Sequence, residues 1–333
     1  MTEIETERPV PPVVLAVGHD PLGSGLEFAA AEARREKCGL HLVHVVHEHP
    51  AGPQGALMDS QDADRIGRDT LRAAEERARD LLGDLPGDLP GDLPGDMVPI
   101  TTELAVGPVV PSIVTAADHA RMIVLQHRET SGLRRVVTRS CASGVAARAD
   151  IPVISVPAGW SDPTPADEAG VVTVGVDIPE RCRAVLDAGA HAALSRGATL
   201  RILHTWWFPS VYDDAILKRE QNATWKRRVH EEIKAVLHDL GDHLADLPIR
   251  IDTRHGHAAE ALVAASQDSV LLVVGRHDAH VPFGSHLGPV ARAVLRDAAC
   301  PVLLANPRAA AGSHRGASRL MRAMVQPTGV PPI

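Results

Sequence analysis

The sequence predicts an α/β protein built from two repeated domains, each a parallel sheet with helices on both faces. Three observations predict it. Apolar strand-like runs alternate with helical segments, the pattern of parallel strands joined by crossover helices. Runs such as RMIVLQ (121–126) and VLLVVG (270–275) are continuously apolar, as strands covered on both faces must be. Finally, the chain is written twice. PPVVLAVGHD (11–20) matches AGVVTVGVDI (169–178), and LHLVHVV (40–46) matches LRILHTW (200–206), with His44 aligned on His204. VGPVVPSIVTAA (106–117) matches HGHAAEALVAAS (255–266), and ADIPVISVP (149–157) matches AACPVLLANP (298–307).

Each copy reads strand, helix, strand, long helix, strand, helix, strand, helix, strand. The first strand runs into an Ala-rich helix, LEFAAAEARREKCG (26–39) in copy one and RAVLDAGAHAALSRG (183–197) in copy two. The last strands, within 151–157 and 300–306, are short and apolar, so an unpaired edge there would invite aggregation. They are expected to join the domains to each other. His204 lies 160 residues after His44 but Pro301 only 149 after Pro152, so copy one carries 11 extra residues between these points. The excess falls on GDLPGDLPGDLPGD (83–96), where Pro and Gly exclude helix and strand and predict a mobile surface loop. The domain reading is a flexible N-terminus at 1–9, domain one at 10–158, a linker at 159–169 and domain two at 170–307. A disordered basic tail follows at 308–333, with Arg308, Arg315, Arg319 and Arg322 and no acid.

Composition narrows the function. With 333 residues, 44% hydrophobic and 23% charged, the chain is globular and long enough for two cores. Aromatics are 2% of the residues, so those cores must be Val, Leu, Ile and Ala. A net charge of −8 argues against nucleic acid as a partner. Cys38, Cys141, Cys182 and Cys300 show no CxxC spacing and read as reduced thiols. MTEIETERPVPP has no basic flank or apolar core of a secretory signal, and no run is long enough to span a membrane. The expectation is a cytoplasmic protein.

Over 10–158 and 170–307 the chain resembles a tandem universal stress protein. VGVD (174–177), LHLVHVV, GHAAEALVAAS (256–266) and GPVARAVLRDAACPVLLA (288–305) carry the resemblance, by their order twice over. It implies two Rossmann-like domains, each a five-stranded parallel sheet. It also implies an intramolecular pseudo-dimer through the last strands, leaves a homodimer of chains open, and names no protein partner. Family members divide into ATP binders and non-binders. Binders have an Asp after strand one and a loop of the form G-x-x-G, nine residues, then G-S or G-T. Glycines let backbone approach phosphate, and the closing pair opens a helix with free N–H groups.

Copy one departs from this pattern: Gly18 stands where the Asp belongs, with Asp20 two residues on, and Gln126, Glu129, Arg139 and Ser140 occupy the loop positions. Copy two keeps Asp177, Gly275 and Gly288, but Asp278 replaces the middle glycine and Pro289 the Ser/Thr. A carboxylate ~4 Å from a phosphate charge costs about 1 kcal/mol in water-like surroundings and about 4 at an effective dielectric of 20. The resemblance therefore assigns a candidate ATP site to domain two alone. Its residues are Val176 and Asp177 after strand one, Thr205 on strand two, Gly275, Arg276 and His277 entering the loop, and Gly288 closing it. Arg276 and His277 would offset part of the charge of Asp278. No metal is expected beyond Mg carried by the nucleotide. The alternative is a nucleotide-free scaffold that uses the same fold to bind other proteins.

Other features read more simply. His41, His44, His47 and His49 run along a strand into a loop and do not converge as metal ligands do. His255, His257, His277, His280 and His286 belong to loops at the ligand-binding edge of copy two, where phosphate contact or solvation accounts for them better than a metal. WWFPSVYDD (206–214) reads as packing for the following helix or as an adenine or partner platform. No Ser-His-Asp order, catalytic carboxylate pair or Walker lysine is present, so no enzyme is expected.

Overall fold

The computed structural model describes residues 10–18, 23–46, 60–83, 98–126, 141–161, 169–206, 220–276 and 287–305. The N-terminus at 1–9, nearly all of the GDLP repeat, most of the linker, the stretch after Trp206 and the basic tail lie outside these residues.

The first half supplies β1 (Val13–Ala16), α1 (Ser24–Arg35), β2 (Leu40–Val46), α2 (Ser60–Gly83), β3 (Ile100–Val106), α3 (Val109–Ala116), β4 (Met122–Gln126), α4 (Cys141–Ala146) and β5 (Val153–Val156). The second repeats the order with β6 (Val171–Val176), α5 (Arg183–Leu194), β7 (Thr199–Trp206), α6 (Glu220–Leu240), β8 (Ile249–His255), α7 (Ala258–Ala265), β9 (Leu271–Gly275), α8 (Pro289–Asp297) and β10 (Val302–Ala305). Central strands β4, β5, β9 and β10 are buried almost throughout, which is why their sequences lack polar alternation. The long α2 shows the opposite logic. Leu71, Ala74 and Ala78 bury one stripe, while Arg65–Asp62 and Arg68–Asp64 pair along its outer face. Gly107 (φ 134°) and Gly256 (φ 145°) occupy the same turn in the two halves, after β3 and after β8. Only glycine adopts that backbone without strain.

All ten strands form one sheet in the order β3-β2-β1-β4-β5-β10-β9-β6-β7-β8. Pairing is parallel within each half and antiparallel where β5 meets β10. There Ser155 lies opposite Val302, Ile154 opposite Leu303 and Val153 opposite Leu304. Ile154 and Leu303 are aligned positions of the repeat, so a pseudo-twofold axis passes between them. The domains thus join through their last strands, as the sequence predicts. It follows that the C-terminal edges of the two halves face opposite ends of the sheet.

One apolar layer lies under α1, α2, α5 and α6 and includes Phe28, Leu71, Leu186 and Ile233. The other lies under α3, α4, α7 and α8 and includes Ile113, Val145, Leu262 and Val294. Both layers run across the junction, so the halves share their cores. Among the described residues no helix is long and apolar enough to cross a membrane.

Over the junction, α1 and the C-terminal end of α5 are bridged by charge. Glu32, buried, takes an ion pair from Arg196 of the second half and one from Arg35 at 2.6 Å. Glu36 accepts from His191 at 2.8 Å and pairs with Arg121 at 2.5 Å. The hydrogen bond to Glu36 raises the His191 pKa against the opposing effects of burial and Arg121, with Asp187 adding to the rise. Burial pushes the Glu36 carboxyl up, but the His191 bond and the charges of His191, Arg121 and Arg196 hold it below its usual range. A raised imidazole stabilises the fold fully below its unfolded pKa, ~6.5, and loses that contribution as pH rises through the folded value. A lowered carboxyl contributes above ~4.3 and is lost as pH falls through its folded value. Chemical unfolding across pH should therefore show a decline beginning above pH ~6.5 that His191→Gln removes. An unchanged high-pH limb in that variant would mean the pair contributes nothing.

Candidate functional site

In the second half the chain moves outward from β6 through β7 to β8, then returns past β6 to β9. The crossovers diverge between β6 and β9, and such a switch point opens a crevice at the C-terminal edge of the sheet. Val176, buried, ends β6, and Asp177 follows it, exposed. Gly275 ends β9 on one side. On the other, β7 aligns His204 with Val176 and continues into half-buried Thr205. The register thus brings Val176, Asp177, Thr205 and Gly275 to one edge.

His204 holds this edge in place. Its Nδ1 donates to the Val176 carbonyl at 2.9 Å, just before Asp177. Burial lowers its pKa, only partly opposed by that bond and by Asp177 and Glu232, so the ring is neutral at physiological pH. In the first half His44 bonds the Val17 carbonyl through Nδ1 at 2.9 Å. The repeat aligns these two histidines, and their matched place on an apolar strand is the one signal in the sequence for this work. His41 is engaged elsewhere, between Thr101 (2.7 Å) and Glu103 (3.2 Å) on β3. Among the described residues no three His, Cys, Asp or Glu side chains are grouped to hold a metal.

Gly275 has a packing reason. A Cβ there would stand 2.9 Å from Val185 Cγ2 of α5. The first half inverts the arrangement: Gln126 aligns with Gly275 and Gly25 with Val185. A Cβ on Gly25 would stand 2.9 Å from the Gln126 Cβ, and one on Gly23 would stand 3.1 Å from its Nε2. Each half therefore places one small and one large residue at this crossing, on opposite partners. In the first half the result is a recess between β1, Gly18, Leu26, Ala74 and Gln126 with room for about one water.

The remaining candidates are placed differently. Gly288 precedes α8 at φ −64° and ψ 167°, a conformation open to any residue, and Pro289 begins the helix. His277, Asp278, His280 and His286 lie outside the described residues. Arg276 departs from the expectation that it faces a phosphate. Its guanidinium donates to the carbonyls of Ala146 (2.7 Å), Ala149 (2.6 Å) and Ile151 (2.6 Å), where α4 of the first half turns into β5. Helix C-terminal carbonyls attract cations. Burial lowers the Arg276 pKa to about 10, with Asp150 opposing, so the group remains charged at neutral pH.

The aromatic run resolves in part. Trp206 lies against Trp225 (5.4 Å between ring centroids) and His255 (4.4 Å), and Trp225 lies against His204 (5.1 Å). These contacts dock α6 on β7 and β8, so Trp206 serves packing, while 207–214 lies outside the described residues.

Comparison with known proteins places this geometry. The universal stress protein family model matches residues 10–157 and again 169–306. A universal stress protein of Mycobacterium tuberculosis is 25% identical over 304 residues, covering 88% of this chain and 94% of that protein. One from Mycolicibacterium smegmatis is 24% identical over 302 residues, covering 86% and 93%. The crystal structure of a universal stress protein from Archaeoglobus fulgidus matches with a TM-score of 0.61 at 15% identity, covering 90% of this chain and 97% of that one. A Pseudomonas aeruginosa protein described as functionally unknown gives a TM-score of 0.55 at 17% identity, covering 93% and 98%.

Proposed function

This chain belongs to the universal stress protein family, and from that premise we propose that it is a stress-associated regulator whose second half alone binds an adenine nucleotide. It acts in the cytoplasm, as a pseudo-dimer within one chain, on a protein target. One observation carries the reading: Asp177 and Gly275 flank the switch point of the second half, whereas Gly18 and Gln126 stand at the matching places in the first. The Asp177 carboxylate would accept hydrogen bonds from ribose hydroxyls or the adenine amine. Backbone N–H groups of the loop that begins at Gly275 would meet the phosphates of ATP, with Mg arriving on the nucleotide. The arrangement is one of binding, and we assign it no catalytic step.

The second reading, a nucleotide-free scaffold, is favoured by Asp278, Pro289 and the diversion of Arg276 to the junction. Asp278→Gly combined with Pro289→Ser separates the two. It removes a repelling carboxylate and restores a donor and a hydroxyl at the helix start. ATP should then bind at least about tenfold tighter, equivalent to ~1.4 kcal/mol, with a smaller gain for ADP and none for adenosine. Asp177→Ala in the repaired chain should abolish binding of all three. Calorimetric titration checks each, and no heat from either the native or the repaired chain would leave the scaffold reading standing.

A further inference from the structure

We infer that the α1/α5 seam is charge-coded so that each half accepts the unlike half and rejects a second copy of itself. A pseudo-twofold interface repeats each contact with the two halves exchanged, so what a pair of like halves would set opposite each residue can be read from the alignment. Glu36 aligns with Arg196, Glu32 with Ala192 and Ala31 with His191. The acids of the seam's central contacts come from the first half and their cross-seam bases from the second: Glu32 with Arg196, and Glu36 with His191. The side chains of Glu32, Glu36 and Arg196 are only 4%, 7% and 8% exposed, so these charges must be matched. The Arg196 guanidinium also lies 5.9 Å from the centre of the Phe28 ring, and Phe28 meets Trp160 edge-on at 5.4 Å.

Pairing two first halves would set Glu36 of each where Arg196 now stands, against buried Glu32. Arg35 and Arg121 would still be present, but they are the more exposed members, at 27% and 37%. Pairing two second halves would set Arg196 between His191 and Ala192, with no carboxylate from across the seam. An unmatched buried charge is strongly destabilising, and rejection of the wrong partner by such repulsion is as much a part of specificity as attraction to the right one. The apolar β5–β10 contact, Ile154 on Leu303, cannot discriminate in this way, since its two sides are alike. The seam can.

The uncut chain tests this, because either half can be given the other's code. Arg196→Glu with Ala192→Glu and His191→Ala writes the first half's code on both sides. Ala31→His with Glu32→Ala and Glu36→Arg writes the second half's. Each like-coded chain should lose at least about tenfold in its folding equilibrium constant, read by chemical unfolding. The six-substitution chain, with the code inverted, should regain at least about tenfold over either. An inverted chain no more stable than the weaker like-coded chain overturns the proposal. Should the like-coded chains not fold, the neutral cycle of Glu32→Gln and Arg196→Gln decides. A coupling of at least about fivefold between the two sites supports the code, and independent effects refute it.

Discussion

Replacing Arg276 by Met removes about 3 kcal/mol from the stability of the folded chain. The estimate follows from three charge-assisted hydrogen bonds, each worth ~1.5–3 kcal/mol, reduced by the cost of burying a guanidinium. Met retains the apolar length of the side chain but leaves the carbonyls of Ala146, Ala149 and Ile151 without this donor. Arg276→Lys should recover only part of the loss, because one ammonium cannot reach three carbonyls as a planar fork does. Urea unfolding of the three proteins measures the series. Because Arg276 begins the loop that leads to Gly288, the same substitution also frees the loop's base from the first half. A Met variant as stable as the native chain would show that these contacts contribute nothing net.

Gly275→Gln has an effect of similar size, with a built-in control. It copies the first half's residue into the second, where Val185 already occupies the space: even a Cβ would lie 2.9 Å from Val185 Cγ2. Overpacking of this kind costs about 1–3 kcal/mol, and a side chain as long as Gln belongs at the upper end. Val185→Gly, which supplies the counterpart of Gly25, should restore most of the stability. The shortfall should be the ~1 kcal/mol of a glycine inside a helix. The repaired double variant should fold but no longer bind ATP, because a Gln then stands at the strand end, as Gln126 does in the first half. Thermal unfolding reads the first statement and calorimetry the second. A double variant that still binds ATP would remove the premise that Gln126 closes the first site.

The parts of the fold that depend on local pattern were legible in the residues. The doubled order of strands and helices, the apolar central strands and the pairing of 151–157 with 300–306 all follow from periodicity, repetition and the hazard of a bare edge. Contacts that join the unlike halves were not. Arg276 next to Gly275 reads naturally as part of an anion loop, and nothing local announces carbonyl partners 125 to 130 residues away. Gly275 invites a ligand explanation until Val185 is seen against it, and the exchange with Gln126 and Gly25 needs both crossings in view. Glu36 and Arg196 hold the same place in the repeat, 160 residues apart like His44 and His204. Their opposite charges acquire meaning only when the twofold sets α1 beside α5.

The antiparallel meeting of β5 and β10 has a consequence for how the molecule can be approached. A true twofold dimer offers a visitor the same scene from above and below. Here the two halves point their strand ends at opposite horizons, and the scenes differ: one carries Asp177 and Gly275, the other Gly18 and Gln126. The chain therefore has a north and a south. The surface at the first half's strand ends is therefore one that the second half's strand ends do not share.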